Sequence, residues 1–280
     1  MGAPEFVVVG HVTLDRIGDG VRPGGAALYA AITAHRLGLS AGILTSHAED
    51  FPLDLIPSQI EVVNIPAVAT TTFEHDLSTV PRTLRVPAVA QTLTAADVPE
   101  DWSAAPLVLL APVANEVDPH LATAFTGPTL AAAAQGWTRA LGADGVVGSN
   151  LWEPSELLLG RLQAIFVSNE DVVGQEDAAI EWFQRVPIGV LTAGRSGALL
   201  FVNGERYEVA PRRTREVDPT GAGDVFAAAF LLHYQRDGEA WAAAAAASCA
   251  ASLSVEGEGI ASVPDRASFD AALRAHLRDA

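Results

Sequence analysis

Short apolar runs alternate with amphipathic stretches along most of the chain. The run "FVVVG" (6–10) is β-branched, apolar and closed by glycine, which predicts a buried strand. A polar, glycine-containing stretch, "HVTLDRIGDGVR" (11–22), follows. "PGGAALYAAITAHRLGL" (23–39) then opens on Pro23-Gly24-Gly25 and continues as a helix, with Ala27, Ala30, Ala31, Ala34 and Leu37 as its close-packing face. "AGILTS" (41–46) predicts a second strand. Strand, helix, strand in that order predicts a βαβ unit and a parallel sheet.

Residues 68–94 break this rhythm. "ATTTFEHDL" and "RTLRVPAVAQ" are threonine-rich and alternating, and "STVP" separates them. They predict a two-stranded, half-exposed flap. From residue 107 the α/β rhythm returns, with strands at "LVLLAP", "AIFVSN" and "IGVLTA" and helices at "HLATAF" and "DAAIEWFQRV". "GALLFVNGERYEVAP" alternates around Asn203-Gly204, a hairpin signature. Three helices close the chain: one after Gly221, one over about 239–254 and one over about 266–277. No linker or repeat intervenes. The expected fold is α/β, a doubly wound, mostly parallel sheet flanked by helices. It forms one domain over 1–280, with lid segments at about 11–22 and 68–94.

Composition then excludes several chemistries. The net charge of −17 argues against nucleic acid as a partner. An anionic substrate stays open, because a helix terminus, an arginine or a metal ion can reverse the field at one site. All 17 basic residues are arginine. Without lysine the chain cannot be a Walker P-loop enzyme, a protein kinase, a pyridoxal enzyme or a Schiff-base aldolase. The single cysteine, Cys249, excludes an internal disulfide and a cysteine-based zinc site. The seven histidines have no metal-ligand spacing. The alanine tract near 240 contains Trp241, Ser248 and Cys249 and is not apolar enough for a membrane span. With no basic-then-apolar signal at the start, a soluble cytoplasmic protein is expected.

One motif carries candidate chemistry. In "EVDPTGAGDVFAAAF", small residues leave backbone N–H groups uncovered where a helix begins, and such groups with the helix dipole form an anion site. Asp224 stands inside it. An acid there is placed to take a proton from a hydroxyl attacking phosphorus, while the N–H groups hold the charge of the transferring group. The motif alone also fits a plain helix N-terminus with an acid in its first turn.

The surrounding segments separate the two readings. "VDPTGAGDVFAAAF", "GHVTLDRI" with "RPGGAALYAAITAHRLG", and "VLTAGRSGALLF" together resemble the ribokinase-like, or PfkB, carbohydrate kinase family. The likeness covers nearly the whole chain, with the motifs in family order. It implies an ATP-dependent kinase with magnesium on the nucleotide. Asp224 corresponds to the base, Gly221, Ala222 and Gly223 to the anion hole, and Asp15 to the acid that binds sugar hydroxyls. Gly24 and Gly25 correspond to the pair that lets the backbone approach the substrate. Thr192, Gly194 and Gly197 correspond to the nucleotide side, where Ser248 either touches the base or serves helix packing. Asp218 and Thr220, with "EGEGIASVP", correspond to a region where many members hold a monovalent cation such as potassium. Flaps in this family pair between subunits in some members, and "ATTTFEHDL" offers an edge for a homodimer.

The chain also departs from the family pattern. Tyr29 replaces an asparagine that touches the sugar. "QGWTR" (135–139) keeps only Arg139 of an Asp-x-Asn-x-Arg strand end, which makes Arg139 the expected phosphate clamp. "SNEDV" keeps Asn169 of an Asn-x-x-Glu motif but has Val172 for the glutamate, leaving Glu170 or Asp171 to support the magnesium water shell. With "LLAPVANEVD", these features resemble a subgroup related to myo-inositol kinases. Trp137 and Tyr29 serve either to stack on a ring polyol or simply as core. The implied acceptor is a small sugar or cyclic polyol. A nucleoside kinase of the same fold and a catalytically silent sugar- or nucleotide-binding homologue remain alternatives. A dinucleotide-binding oxidoreductase is set aside, because no G-x-G-x-x-G follows the first strand.

Overall fold

The computed structural model describes residues 2–76 and 83–279. In chain order its strands and helices begin β1 (Phe6–Val9), β2 (Thr13–Ile17), β3 (Gly20–Gly24), α1 (Ala26–Arg36), β4 (Ala41–His47), β5 (Glu61–Pro66), β6 (Thr72–Asp76), β7 (Thr83–Ala88) and β8 (Leu107–Leu110). They continue with β9 (Thr129–Ala133), β10 (Arg139–Leu141), β11 (Val147–Ser149), α2 (Glu156–Leu159), β12 (Ala164–Ser168), α3 (Glu176–Phe183) and β13 (Ile188–Thr192). The chain ends with β14 (Ala198–Val202), β15 (Glu205–Val209), α4 (Ala222–Asp237), α5 (Ala240–Ser254) and α6 (Arg266–Asp279).

Successive side chains of a strand point to opposite faces, and both faces of β1 are covered. Phe6 and Val8 enter one apolar cluster with α1, α4 and α5, and Val7 and Val9 enter another with Trp102, Trp137 and Trp182. A strand buried on both sides has to be a continuous apolar run rather than an alternating one. Among the described residues the main sheet runs β15-β14-β13-β12-β9-β8-β1-β4-β5, parallel except for β14 and β15 at one edge. The fold is thus the doubly wound, mostly parallel α/β class. The hairpin at β14–β15 turns on Asn203 and Gly204, both at positive φ (49° and 85°), the backbone that a two-residue primed turn needs.

The strand order reverses beside β1: the chain moves outward through β4 and β5, then returns to β8 on the other side. Loops leaving the carboxyl ends of strands on either side of such a reversal diverge and leave a crevice, the usual ligand position in these sheets. Over it lies a second sheet, β3-β2-β6-β7. The hairpin β10–β11 docks on this sheet through Val86 N–H to Gly145 O (2.7 Å) and the bridge between Arg85 and Val146.

Several details differ from the sequence reading. The stretch 11–22 is itself a hairpin of β2 and β3. Its charged, half-exposed strands lack the apolar runs that mark the main sheet. "HLATAF" forms a 3₁₀ helix (Pro119–Ala124), started by the Asp118 cap and Pro119, and not an α-helix. The strand in "ATTTFEHDL" offers no free edge, because β6 is paired with β2 on one side and β7 on the other. Strand addition at β6 is therefore closed to a second subunit. The turn proposed at "STVP" lies outside the described residues. No described helix is long and apolar enough to cross a membrane.

Candidate active site

The site is assembled from the carboxyl ends of the strands and from the start of α4. Gly221 precedes α4 in the left-handed region (φ 76°, ψ 0°), where glycine carries no Cβ penalty. No side chain caps the helix. Ala222 N–H donates to Pro219 O (3.2 Å), so it is not a bare donor as the motif implied. Among the described residues the N–H groups of Gly221 and Gly223 meet no protein acceptor. Gly223 is exposed, and a Cβ there would meet open space. The hole is therefore narrower than 221–223 and consists of the two glycine N–H groups at a positive helix end.

Asp224 lies in the first turn, half-buried. Its carboxyl is pushed up to about 7, first by desolvation and then by the negative charge of Asp171, while the Arg139 guanidinium pulls it back.

Arg139 begins β10 and is the hub of the charges. It donates one hydrogen bond, Nη1 to Val113 O (2.7 Å), and its guanidinium carbon lies 5.4 Å from the centre of the Phe73 ring in β6. Desolvation lowers its pKa, and Asp171, Glu116, Asp224 and Asp15 act against that shift. With one of five N–H donors used on the protein, the guanidinium retains capacity for an incoming anion.

The other carboxylates around it are already engaged. Asp15, on β2 and 8% exposed, accepts from Thr13 Oγ1 (2.9 Å), and burial outweighs that bond in raising its pKa. Gly24 packs so closely on Asp15 that an added Cβ would lie well inside 3.0 Å of the carboxylate. Gly25, at φ 96°, caps α1 against His11 and Thr13. Asp171 is folded back on the end of β12: it accepts from Ser168 N (2.8 Å), Ser168 Oγ (2.7 Å) and Gln135 Nε2 (3.1 Å). Glu116 escaped the sequence reading. It is 2% exposed and accepts from the N–H groups of His11 (3.1 Å), Val113 (3.0 Å) and Ala114 (2.7 Å), tying the loop after β1 to the loop after β8. An acid in an otherwise apolar loop just past a strand was the available signal.

On the donor side, Asn169 follows β12 and its N–H donates to Thr192 O at the end of β13 (2.9 Å). Gly194 and Gly197 form the tight turn between β13 and β14, at φ 51° and 90°. Glu170 is exposed, whereas Asp171 has both oxygens occupied. Val172 is fully buried in the second apolar cluster, which explains why no carboxylate stands there. Ser248 is 6% exposed and its hydroxyl donates to Ala210 O (3.2 Å), so its place is inside the helix packing. Asp218 accepts from Thr220 N (3.0 Å) and Gly259 N (3.3 Å) and lies 3.7 Å from Arg22. Desolvation raises its pKa, but these partners outweigh it and hold the carboxyl below its ordinary value. Among the described residues no three acidic, histidine or cysteine side chains cluster as a metal site.

Two aromatics serve the core. Trp137 is 1% exposed, stacked on Trp152 (4.9 Å, 18°), and its Nε1–H donates to Val117 O (2.9 Å). Tyr29 is 2% exposed, with its ring against Gly221. Neither presents a free face to a sugar. A separate cavity of about 430 Å³ adjoins the site, lined by Thr92, Asn115, Glu116, Arg139, Asn150 and the apolar rim around them. Arg139 is its wall on the Asp224 side, and Asn115 is held there at φ 62°.

Known proteins resemble this chain in sequence and in fold. Residues 160–266 match the family model described as pfkB family carbohydrate kinase, a span that includes the start of α4. A cytidine kinase of Thermococcus kodakarensis is 26% identical over 257 residues, 83% of this chain and 89% of that protein. The fold is like that of a pyrophosphate-dependent myo-inositol-1 kinase converted into a myo-inositol-3 kinase by mutation, with a TM-score of 0.80, 22% identity and 96% and 98% of the two chains covered. It is also like that of the Arabidopsis thaliana ribokinase complexed with ribose and ATP, with a TM-score of 0.70, 21% identity and 97% and 99% covered.

Proposed function

We propose that the chain is a ribokinase-like kinase, a phosphotransferase with a hydroxyl acceptor, and that it transfers the γ-phosphoryl group of ATP to a hydroxyl of a small sugar or cyclic polyol, with myo-inositol the leading acceptor. The observation that carries the site assignment is Asp224: a carboxylate with its pKa near neutrality, beside two bare N–H groups and in the field of Arg139.

The acceptor is oriented by Asp15 and by the backbone at Gly24 and Gly25. Its hydroxyl gives the proton to Asp224 as the oxygen attacks the γ-phosphorus. The bond from that phosphorus to the β-phosphate oxygen breaks, and ADP leaves with the electron pair. The N–H groups of Gly221 and Gly223 and the guanidinium of Arg139 hold the charge that spreads over the transferring group. Asn169, Thr192, Gly194 and Gly197 face the nucleotide. Magnesium, when bound, neutralises nucleotide phosphate charge. With few free carboxylates at the site, the ion would arrive on the phosphates with its water shell touching Glu170 or Asp171. The Asp218 carboxylate is committed to two N–H groups and Arg22, so a monovalent cation at this loop would rest mainly on backbone carbonyls. The lid sheet excludes water, which would otherwise compete as acceptor.

A second reading has its own support. The cavity beyond Arg139 would take a substituent on the acceptor ring, as in a nucleoside, and the relative matched over most of the chain is a cytidine kinase. A panel of myo-inositol, ribose, fructose, adenosine and cytidine, each with ATP or pyrophosphate, decides among the acceptors and donors. Turnover highest with myo-inositol and ATP is expected. Preference for a nucleoside would move the reading to the second acceptor. Background rates with every pair, unchanged by Asp224→Asn, would leave a binding protein without catalysis.

A further inference from the structure

We infer that Tyr29 is a positioning residue for phosphoryl transfer: its ring holds the left-handed turn at Gly221 that presents the anion-binding N–H groups. The inference rests on reading that turn as the anion hole. A Cβ built on Gly221 would fall well inside 3.0 Å of the Cδ1, Cγ and Cε1 atoms of Tyr29, so the ring lies flush against the backbone of the turn. The chain before the turn is anchored by Val217 N and Asp218 N to Val255 O (2.7 and 3.3 Å) and by Thr220 N to Asp218 (3.0 Å), but none of these bonds engages the N–H of Gly221 or Gly223. No side chain caps α4, and the backbone bonds there are Ala222 N to Pro219 O (3.2 Å) and Val225 N to Gly221 O (2.9 Å).

Glycine at φ 76° has other conformations open to it at small cost, so an unsupported Gly221 would let both N–H groups turn away from the phosphoryl group. The same helix that carries Tyr29 begins at Gly25, packed against His11 and Thr13 just before Asp15. Tyr29 therefore spans from the acceptor carboxylate to the donor hole within one rigid element. Its hydroxyl points toward Gly259, and Asp218, Asp15 and Asp224 all lie close enough to raise its pKa after burial has done so. A phenol buried this way contributes shape, and its ring is the part that matters.

The test uses the full chain and three variants: Tyr29→Phe, Tyr29→Leu and Tyr29→Ala. Each is assayed with ATP and whichever of myo-inositol or cytidine the wild type turns over. Tyr29→Phe should keep kcat within about 2-fold, because the ring and its volume persist. Tyr29→Leu and Tyr29→Ala should lower kcat by roughly 10- to 100-fold, the scale of a slightly misplaced transition-state donor, while acceptor KM stays within about 3-fold. Amide hydrogen exchange is read in parallel. Ala222 and Val225, the hydrogen-bonded amides of the 221–225 turn, should lose protection in the Leu and Ala variants, and residues 227–232, inside the same helix, should keep theirs. A mere packing role would loosen both segments alike. Raised acceptor KM at unchanged kcat would make Tyr29 an acceptor contact and overturn the inference. So would unchanged exchange at 221–225. If the wild type turns over neither acceptor, the kinase reading is what has failed, and exchange alone decides whether Tyr29 braces the turn.

Discussion

Asp224 should control the acid limb of the activity profile, and its neighbours should move that limb in opposite directions. Burial and Asp171 bring the carboxyl to about 7, with Arg139 opposing. A base has to be deprotonated to act, so kcat/KM should fall about tenfold per pH unit below 7 and stand roughly 100-fold under its plateau at pH 5. Asp171→Asn keeps the shape but removes a negative charge, so the limb should shift to lower pH. Arg139→Gln removes the stabilising cation, so the limb should shift to higher pH and the plateau should drop. Nucleotide ionisation is common to all three proteins, so the displacement between variants isolates Asp224. Stability gives an independent reading. The folded state holds the Asp224 proton up to about 7, and the unfolded chain releases it near the ordinary aspartate value of 3.8. Ionisation thus costs the folded state stability progressively from pH 3.8 to 7, with a ceiling of about 4 kcal/mol above that window at ~1.36 kcal/mol per unit, lowered by partial solvent contact. Asp224→Asn should raise Tm by several degrees at pH 8, and the gain should shrink as pH falls towards 4. Thermal scans and steady-state kinetics across pH 5–8.5 measure both. A flat profile in the wild type, or an Asp171→Asn limb displaced upward, would refute the base assignment.

Gly24→Ala places a Cβ against the Asp15 carboxylate. It should raise acceptor KM about tenfold or more, the worth of a hydrogen bond to a charged group, with donor KM unchanged; equal effects on both would mean general misfolding. Val172→Glu, which restores a carboxylate where the family pattern has one, puts it at a fully buried position in the second apolar cluster. Urea denaturation should show a loss of about 3 kcal/mol or more with no gain in magnesium response, and a stable, more active variant would show that the segment can open.

The main sheet was legible wherever burial on both faces forced an unbroken apolar run. The runs at 6–9, 41–46, 107–110, 164–168 and 188–192 all became strands of it. Legibility failed where that cause was absent. β9 is "TLAAA", whose alanines propose helix as readily as strand, and it is strand because it pairs with β8 and β12. β5, "EVVNIP", lies at the sheet edge, half-exposed, and its apolar run is broken by Asn64. β2 and β3 belong to a separate sheet over the crevice, where Asp15 is buried while Arg16 and Arg22 meet solvent and acids of other segments, and no apolar pattern marks them.

The site shows the same division for a different reason. Asp15, Arg139, Asp171 and Asp224 could each be picked out by pattern and resemblance, and resemblance gave Asp224 the base's place, but the sequence could not bring four acids around one arginine. Partners do. Asp15 is bound to Thr13, Asp171 to Ser168 and Gln135, and Glu116 to three backbone N–H groups. Among the described residues Asp224 alone of the acids near Arg139 makes no hydrogen bond, and it is the one whose proton affinity comes nearest neutrality. An acid already satisfied by donors is fixed in place, which suits orientation. An acid without donors, desolvated at the start of a helix, can take a proton and give it back. The positions where this chain leaves the pattern of the family it resembles follow from packing in the same way. Val172 is core because its segment turns it into the apolar layer. Tyr29 fills the space that a glycine distant in sequence leaves open. Such contacts are set by two helices meeting, so no local window of residues contains them.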